Sequence, residues 1–504
     1  MNTVVLDTDT GTGTDATPMA LDRPVSPAGA SHVHPGVRAY LATSLVLLVL
    51  MMLAGLAMRA AQAGWLPVPL DRFYQLMTLH GAGMVGLAGL AGAAIMWHFL
   101  SRQVRLSEGI LWANFILFLL GVAMILAAIL VGGYAGGWTF LWPLPAMSMG
   151  VWSPHAAAGF IGGLLLIGVG FLLFCLDSGL AITRTYGSLW AGLGVDQLIS
   201  GRIDTAHPPV VVASSMSVIV NTVGILTGAV VLVVTLVNLY VPAFAINALL
   251  AKNLIYFFGH VFINATIYMS VIAVYELLPL YAGRPWKASR PFYAAWAAAT
   301  VFVMAVYPHH LLLDGVMPAP LLVLGQIVSY LSGIPVLLVT AYGALMLVHR
   351  SGIRWKAPAL WLMLAIYGWS AGVIPAIVDG TIVVNKVMHN TMWVPGHFHL
   401  YLLLGLLPMV IGFCLHFFAG EPSGTAGRGR GLVALYLVAG AVFGAAFLAQ
   451  GWSSVPRRWA EHWPQWVAGD QVATIAAIGL VLCTVLLVAT VLIRMARPAH
   501  VAQA

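Results

Sequence analysis

Long apolar runs, each closed by a short cluster of charges or of Gly and Pro, follow one another along almost the whole chain. They fall at 38–60, 74–100, 109–132, 153–176, 210–240, 249–280, 291–313, 320–348, 358–379, 388–418, 431–450 and 472–495. A helix needs about 20 apolar residues to cross a bilayer. The pattern therefore predicts an all-α, polytopic integral membrane protein with twelve transmembrane helices occupying residues 37–496. Residues 1–36 are rich in Thr, Asp, Gly and Pro and lack a basic stretch followed by an apolar run, so they read as a disordered polar tail. Residues 497–504 read as a short C-terminal tail. The mixed segment 181–209, with Trp190, Asp196, Arg202, Asp204 and His207, reads as an interfacial loop carrying a short amphipathic helix.

Composition narrows the function. With 61% hydrophobic and 7% charged residues and a mean hydropathy of +0.96, the chain is excluded from the soluble enzymes and secreted disulfide scaffolds. The net charge of +7 does not imply a nucleic-acid partner; membrane lipid is the expected surroundings, and Lys and Arg report topology because they collect in cytoplasmic loops. If the N-terminus is cytoplasmic, Arg59, Arg72, Lys252, Lys386, Arg457 and Arg458 lie outside, leaving sixteen of the 22 Lys and Arg inside. Both termini are thus expected in the cytoplasm. Cys175, Cys414 and Cys483 stand singly in apolar runs, with no pair for a dinuclear centre and no attachment motif for covalent haem.

Histidine is the anomaly. There are 16, against 15 Asp and Glu together, and polar groups within spans are costly and mark function. His80 on the second run, His260 on the sixth, His309 and His310 near the outer end of the seventh, and His397 and His399 on the tenth all fall roughly 10–17 Å below the outer surface at 1.5 Å per residue. Neutral imidazole ligates haem iron and copper, and six at one depth without carboxylates are hard to explain as packing. His397 and His399 point about 200° apart on a helix and so serve different sites. His309 and His310 diverge by about 100°, so that with local distortion both could reach one small ion completed by His260.

These features resemble the central subunit of the haem-copper oxidase superfamily. The fragments carrying the resemblance are F-Y-Q-L-M-T-L-H-G ending at Gly81, G-G-W-T-F at 136–140, F-G-H at 258–260, Y-P-H-H at 307–310, H-N-T-M-W-V-P-G-H-F-H-L at 389–400 and P-R-R at 456–458. The resemblance implies two haems, one low-spin and one high-spin and b-type or related, with one copper ion. It makes His80 and His399 the axial pair of the low-spin haem and His397 the proximal ligand of the high-spin haem. His260, His309 and His310 become the copper ligands. Arg457 and Arg458 correspond to a pair that neutralises haem propionates, with His389 and Asn390 beside them.

The sequence departs from the oxygen-reducing members at one place. They carry a tyrosine four residues after the helix-6 histidine, or on helix 7 about six residues before the histidine pair; here those positions are Asn264 and Val303. Splitting O2 consumes four electrons, of which haem iron and copper supply three and the tyrosine the fourth, whereas joining two NO molecules into N2O needs two. The implied activity is NO reduction, with Asn264 facing the pocket and hydrogen-bonding bound NO; O2 reduction to water is the alternative, with Tyr307 or Tyr268 as unconventional tyrosines. A metal or small-solute transporter is a rival from another class. Non-haem iron in place of copper is disfavoured because the only glutamate on the sixth run is the distant Glu276, and the H-H-L-L-L-D stretch ending at Asp314 resembles the copper-containing branch. A polar path from the cytoplasm is expected along Tyr256, Thr266, Tyr268 and Ser270 with Ser329, Ser332 and Thr340, and Glu276 at its mouth. Electrons are expected from an outer-face partner subunit of cupredoxin or cytochrome type, in a bacterial inner membrane with the site nearer the outer face.

The topology is checked with fusions. A fluorescent protein after the last residue should fluoresce, and alkaline phosphatase inserted between residues 241 and 248 should be active; the reverse pattern would invert the orientation.

Overall fold

The computed structural model describes residues 33–419 and 426–497; the N-terminal tail expected at 1–36 and the C-terminal tail fall almost wholly outside the described residues. Twelve helices are long and apolar enough to cross a membrane. They are α1 (Pro35–Gln62), α2 (Leu70–Leu100), α3 (Glu108–Leu130), α4 (Pro154–Tyr186), α5 (Pro209–Tyr240), α6 (Ala248–Ala282), α7 (Arg290–Leu311), α8 (Ala319–Val348), α9 (Ala357–Asp379), α10 (Trp393–Ala419), α11 (Gly429–Trp452) and α12 (Pro464–Ala496). An even number of crossings brings the chain back to the side it started from. No strand forms among the described residues; one isolated antiparallel bridge joins Thr391 to Pro456.

Local chemistry starts the helices where the pattern ends. Ser107 and Ser153 accept the backbone N–H of Ile110 and Ala156 at the starts of α3 and α4, and α4 also has proline in its first turn. The interfacial segment is more helical than expected: α4 continues past 176 to Tyr186, and two short helices, Leu189–Leu193 and Val195–Ser200, follow. His207 is tucked against them, its Nε2 2.9 Å from the Gly192 carbonyl oxygen.

Burial divides the bundle. Within their most apolar windows α2, α6 and α10 are 78%, 83% and 78% buried, whereas α3 and α8 are 33% and 22%. The three central helices carry four of the six histidines singled out by depth. Around them sequential helices pack side by side, and α1 closes the ring against α12. One end of that seam is an ionic knot: Arg59 lies 2.5 Å from Asp470, which also accepts from Gln450 at 2.7 Å and from His462 Nδ1 at 2.8 Å.

α9 and α10 meet almost backbone to backbone. A Cβ on Gly368 would lie 2.0 Å from the Leu404 carbonyl oxygen, and one on Gly372 2.6 Å from Tyr401 Cα. This is close packing through small residues four apart. α10 is also irregular, with a π-helical segment at Leu400–Leu406. Pro408 has no N–H to give the Leu404 carbonyl, while the Leu403 carbonyl accepts from the Tyr436 hydroxyl at 2.8 Å. Such π segments accompany functional sites.

Gly368→Val should cost more than about 3 kcal/mol, because backbone rather than a movable side chain occupies the space. Thermal denaturation in detergent checks this; a variant as stable as the parent would show that the two helices are not in this contact.

Candidate functional site

A cavity of about 660 Å³ runs between the central helices. Its walls include all six histidines, His80, His260, His309, His310, His397 and His399, together with Asn264, Arg457 and Arg458. The sequence-derived constellation is brought together in one place.

His80 and His399 form one set. Their rings face each other from α2 and α10 with centroids 6.1 Å apart and planes 20° from parallel. His80 Nδ1 donates to the Met51 carbonyl and His399 Nδ1 to the Pro395 carbonyl, both at 2.7 Å. A carbonyl can only accept, so each Nδ1 carries the proton and each Nε2 keeps its lone pair for the cavity. Met51 is within reach because α1 is notched at Gly55, where a Cβ would lie 2.8 Å from the His80 ring. Two anchored rings of this kind fit a planar haem held from both faces.

The second set is His260, His309 and His310, whose ligand atoms all lie within 4.8 Å of one another. His310 Nε2 is 3.1 Å from both His260 Nδ1 and His309 Nε2. The distortion needed for consecutive histidines to converge is a 3₁₀ turn, Tyr307–Leu311, at the end of α7, where Pro308 has no N–H to continue the α-helix. Ser329 donates its only proton to Gly325 O at 2.6 Å, so it accepts from His309 Nδ1 at 3.0 Å and leaves His309 Nε2 free to ligate. The Asn264 amide nitrogen lies 3.0 Å from the His260 carbonyl and 2.7 Å from His260 Nε2. With the amide so placed, His260 Nε2 accepts, and Nδ1, 3.1 Å from His310 Nε2, is the nitrogen turned toward the other two rings. Three imidazoles without a carboxylate suit copper.

His397 lines the cavity and makes no hydrogen bond among the described residues, so a lone imidazole faces the space between the two sets. At one rim of the cavity, Asn390 and Arg457 are joined by Arg457 N–H to Asn390 O at 3.0 Å and by the guanidinium to Asn390 Oδ1 at 3.3 Å. Burial, and then the charge of neighbouring Arg458, push the Arg457 guanidinium down to about 10, which leaves it cationic at neutral pH. Arg458 adopts a left-handed backbone, φ 68°, unusual for a residue with a side chain. His389 is buried with Nδ1 3.2 Å from Asp379 Oδ2, and its Nε2 has no partner. Arg457 and Arg458, two guanidiniums in the cavity wall, are a fitting rim for haem carboxylates. Just below the rim Lys252 bonds Asp314 at 2.6 Å, which holds the Asp314 carboxyl below the usual carboxylate range.

Two expectations change. Tyr256 lies one turn before His260, on the opposite side of it from Thr266 and Ser270, and its ring stacks on His310 at 5.2 Å. Thr266 and Ser270 spend their hydroxyls on carbonyls of their own helix, and Thr340 bonds Tyr275 at 2.6 Å; of the path residues below the site only Tyr268, Ser329 and Ser332 line the cavity, and Glu276 does not. Tyr307, two residues from His309, points away from the metal-ligand set as that spacing predicts, its hydroxyl donating to Asn253 Oδ1 at 3.1 Å. The residue that sequence reasoning missed is Tyr401, which lines the cavity with its hydroxyl 3.4 Å from Asn264 Oδ1. Its signal was a helical one, since it follows His397 by four residues.

The chain matches the family Cytochrome C and Quinol oxidase polypeptide I over residues 36–481. It is 26% identical to a putative cytochrome c oxidase subunit 1-beta of Streptomyces avermitilis, over 84% of this chain and 75% of the relative. It is 24% identical to cytochrome c oxidase subunit 1 of Corynebacterium diphtheriae, over 78% and 69%. A 25% match to the heme-copper oxidase subunit I+III of Aeropyrum pernix covers 46% of this chain and only 28% of that longer protein. A heme-copper terminal oxidase dimer solved by cryo-EM has the same fold, with a TM-score of 0.76 over 92% of this chain and 85% of that one at 19% identity.

The two histidine sets should be separable. His399→Ala or Gly55→Val should remove the six-coordinate haem signal from the optical spectrum, and His309→Ala should lower bound copper while leaving that signal intact. Loss of both centres from every single variant would show that they are not independent sites.

Proposed function

The chain belongs to the cytochrome c and quinol oxidase polypeptide I family, and on that footing we propose that it is the catalytic subunit of a respiratory complex reducing NO to N2O. It is an integral membrane protein and a haem-copper oxidoreductase by family; the substrate is the step taken here. The observation that carries it is Asn264, whose amide lies 2.7 Å from His260 Nε2, where a phenol of the oxygen-reducing kind is absent. When bound, the haems and copper supply electron transfer and a pair of metals facing a diatomic oxide. His80 and His399 hold the low-spin haem, His397 holds the high-spin haem, and His260, His309 and His310 hold copper. Arg457 and Arg458 receive the haem carboxylates, with His389 and Asn390 beside them, and Asn390 fixes Arg457. Asn264 orients His260 and keeps its side of the pocket small enough for a second NO. Electrons come from an outer-face cupredoxin-like or cytochrome subunit, and the membrane is the bacterial inner membrane with the termini in the cytoplasm.

A second reading, reduction of O2 to water, is favoured by one observation. Tyr401 places a hydroxyl 3.4 Å from Asn264 Oδ1, so a phenol able to give a hydrogen atom stands near the pocket by another route. The names carried by the relatives also favour it.

Turnover of the purified complex with each gas separates the readings. NO should be converted to N2O steadily while O2 consumption is slow or releases partly reduced oxygen, and Asn264→Tyr should lose NO turnover because the ring fills the space of the second NO. Complete reduction of O2 to water at a rate comparable with NO turnover would overturn the NO reading.

A further inference from the structure

Tyr401 belongs to neither histidine set, yet several independent features fix where it is. It lies within the π-helical segment of α10, one turn beyond His397. The small Gly372 of α9 lets the Tyr401 backbone come within van der Waals reach, a Cβ there falling 2.6 Å from its Cα and N and 2.8 Å from its Cβ. The residue therefore cannot back away from the cavity without moving α9. Its side chain is in the cavity wall with Asn264, His260 and His397.

The hydroxyl is poorly served by the protein. Its one hydrogen-bond contact among the described residues is with Asn264 Oδ1 at 3.4 Å, well beyond the 2.7–2.8 Å usual between oxygens. Tyr436 on α11 shows the contrast, since its hydroxyl reaches the Leu403 carbonyl at 2.8 Å. Buried polar groups of native proteins are normally paired, and an O–H in a cavity wall with a long, weak acceptor is free to turn to a better one. The Asn264 N–H groups are already engaged with the His260 carbonyl and ring at 3.0 and 2.7 Å. Of these two side chains, only the tyrosine has a donor to spare.

We propose that Tyr401 is the hydrogen-bond donor to the oxygen of the diatomic ligand held between the high-spin haem and the His260–His309–His310 metal, and that Asn264 Oδ1 is the resting acceptor of that O–H. The assignment rests on the two-metal reading of the cavity and not on the choice between NO and O2. It makes Tyr401 a catalytic residue of this chain, in contact with substrate, and it gives Asn264 a second task besides orienting His260. Hydrogen bonding to the ligand oxygen draws electron density from the metal into the ligand. The same contact is therefore readable with a ligand that does not react.

The probe is carbon monoxide on the fully reduced holoenzyme, read by infrared spectroscopy. In Tyr401→Phe the C–O stretch of haem-bound CO should move to higher wavenumber and lose its shift in D2O, while haem and copper contents stay at parental values. NO turnover should fall roughly tenfold, the scale of one lost hydrogen bond. In Asn264→Ala, where the phenol has lost its resting acceptor, the stretch should stay at or below the parental position and keep its D2O shift. A rise in Asn264→Ala with none in Tyr401→Phe would make Asn264 the donor and overturn the proposal, as would unchanged bands in both. If Tyr401→Phe fails to load haem, the D2O shift in Asn264→Ala decides alone: its persistence supports the phenol and its loss rejects it. A failure of NO turnover in the unmodified protein, with the infrared shifts as expected, would instead reject the substrate reading and leave this one standing.

Discussion

An imidazole inside a membrane must have both ring nitrogens accounted for, and the bundle is built around that requirement. A ring nitrogen held by protein fixes which way the other one points, and four of the six histidines are held so. His80 uses the Met51 carbonyl, His399 the Pro395 carbonyl and His309 the Ser329 hydroxyl. His260 is paired through its Nε2 with Asn264. These anchors decide which nitrogen faces the cavity, and they require the helices bearing them to sit at the centre, where α2, α6 and α10 are the most buried.

The departures from regular helix follow from the same demand. Gly55 opens α1 so that the His80 ring can reach a backbone carbonyl, and Gly368 and Gly372 let α9 touch α10 behind the ligands. The 3₁₀ turn at Tyr307–Leu311 converges two consecutive histidines on one point. The π segment at Leu400–Leu406 starts immediately after His399. At the rim of the cavity, the bridge between Thr391 and Pro456 joins the start of α10 to the loop bearing Arg457 and Arg458. Distant segments of sequence are thereby fixed next to one another.

The spans and the six histidines were legible in the sequence because hydropathy and helical rise are properties of short stretches. The sorting of His397 from His399 was legible too, from the angle between residues two apart. What could not be read is what depends on contact between helices. The Gly55 notch has no local signature, and the unpartnered His389 nitrogen needs coordinates to be seen. The hydroxyls of Thr266 and Ser270 looked like a path but are spent within their own helix, a choice that sequence leaves open. Tyr401 was hidden differently. The family tyrosines stand on the sixth and seventh helices, and the phenol in this pocket comes from the tenth.

His397 and His399, projecting from opposite faces of one short stretch of α10, divide the cavity between two metal centres, and metal stoichiometry with ligand reactivity tests that division most directly. The purified complex should contain two haem irons and one copper per catalytic chain, apart from metals of its partner subunits, and after reduction CO should bind one haem and leave the other six-coordinate. A site containing iron in place of copper, or two haems that both bind CO, would contradict it.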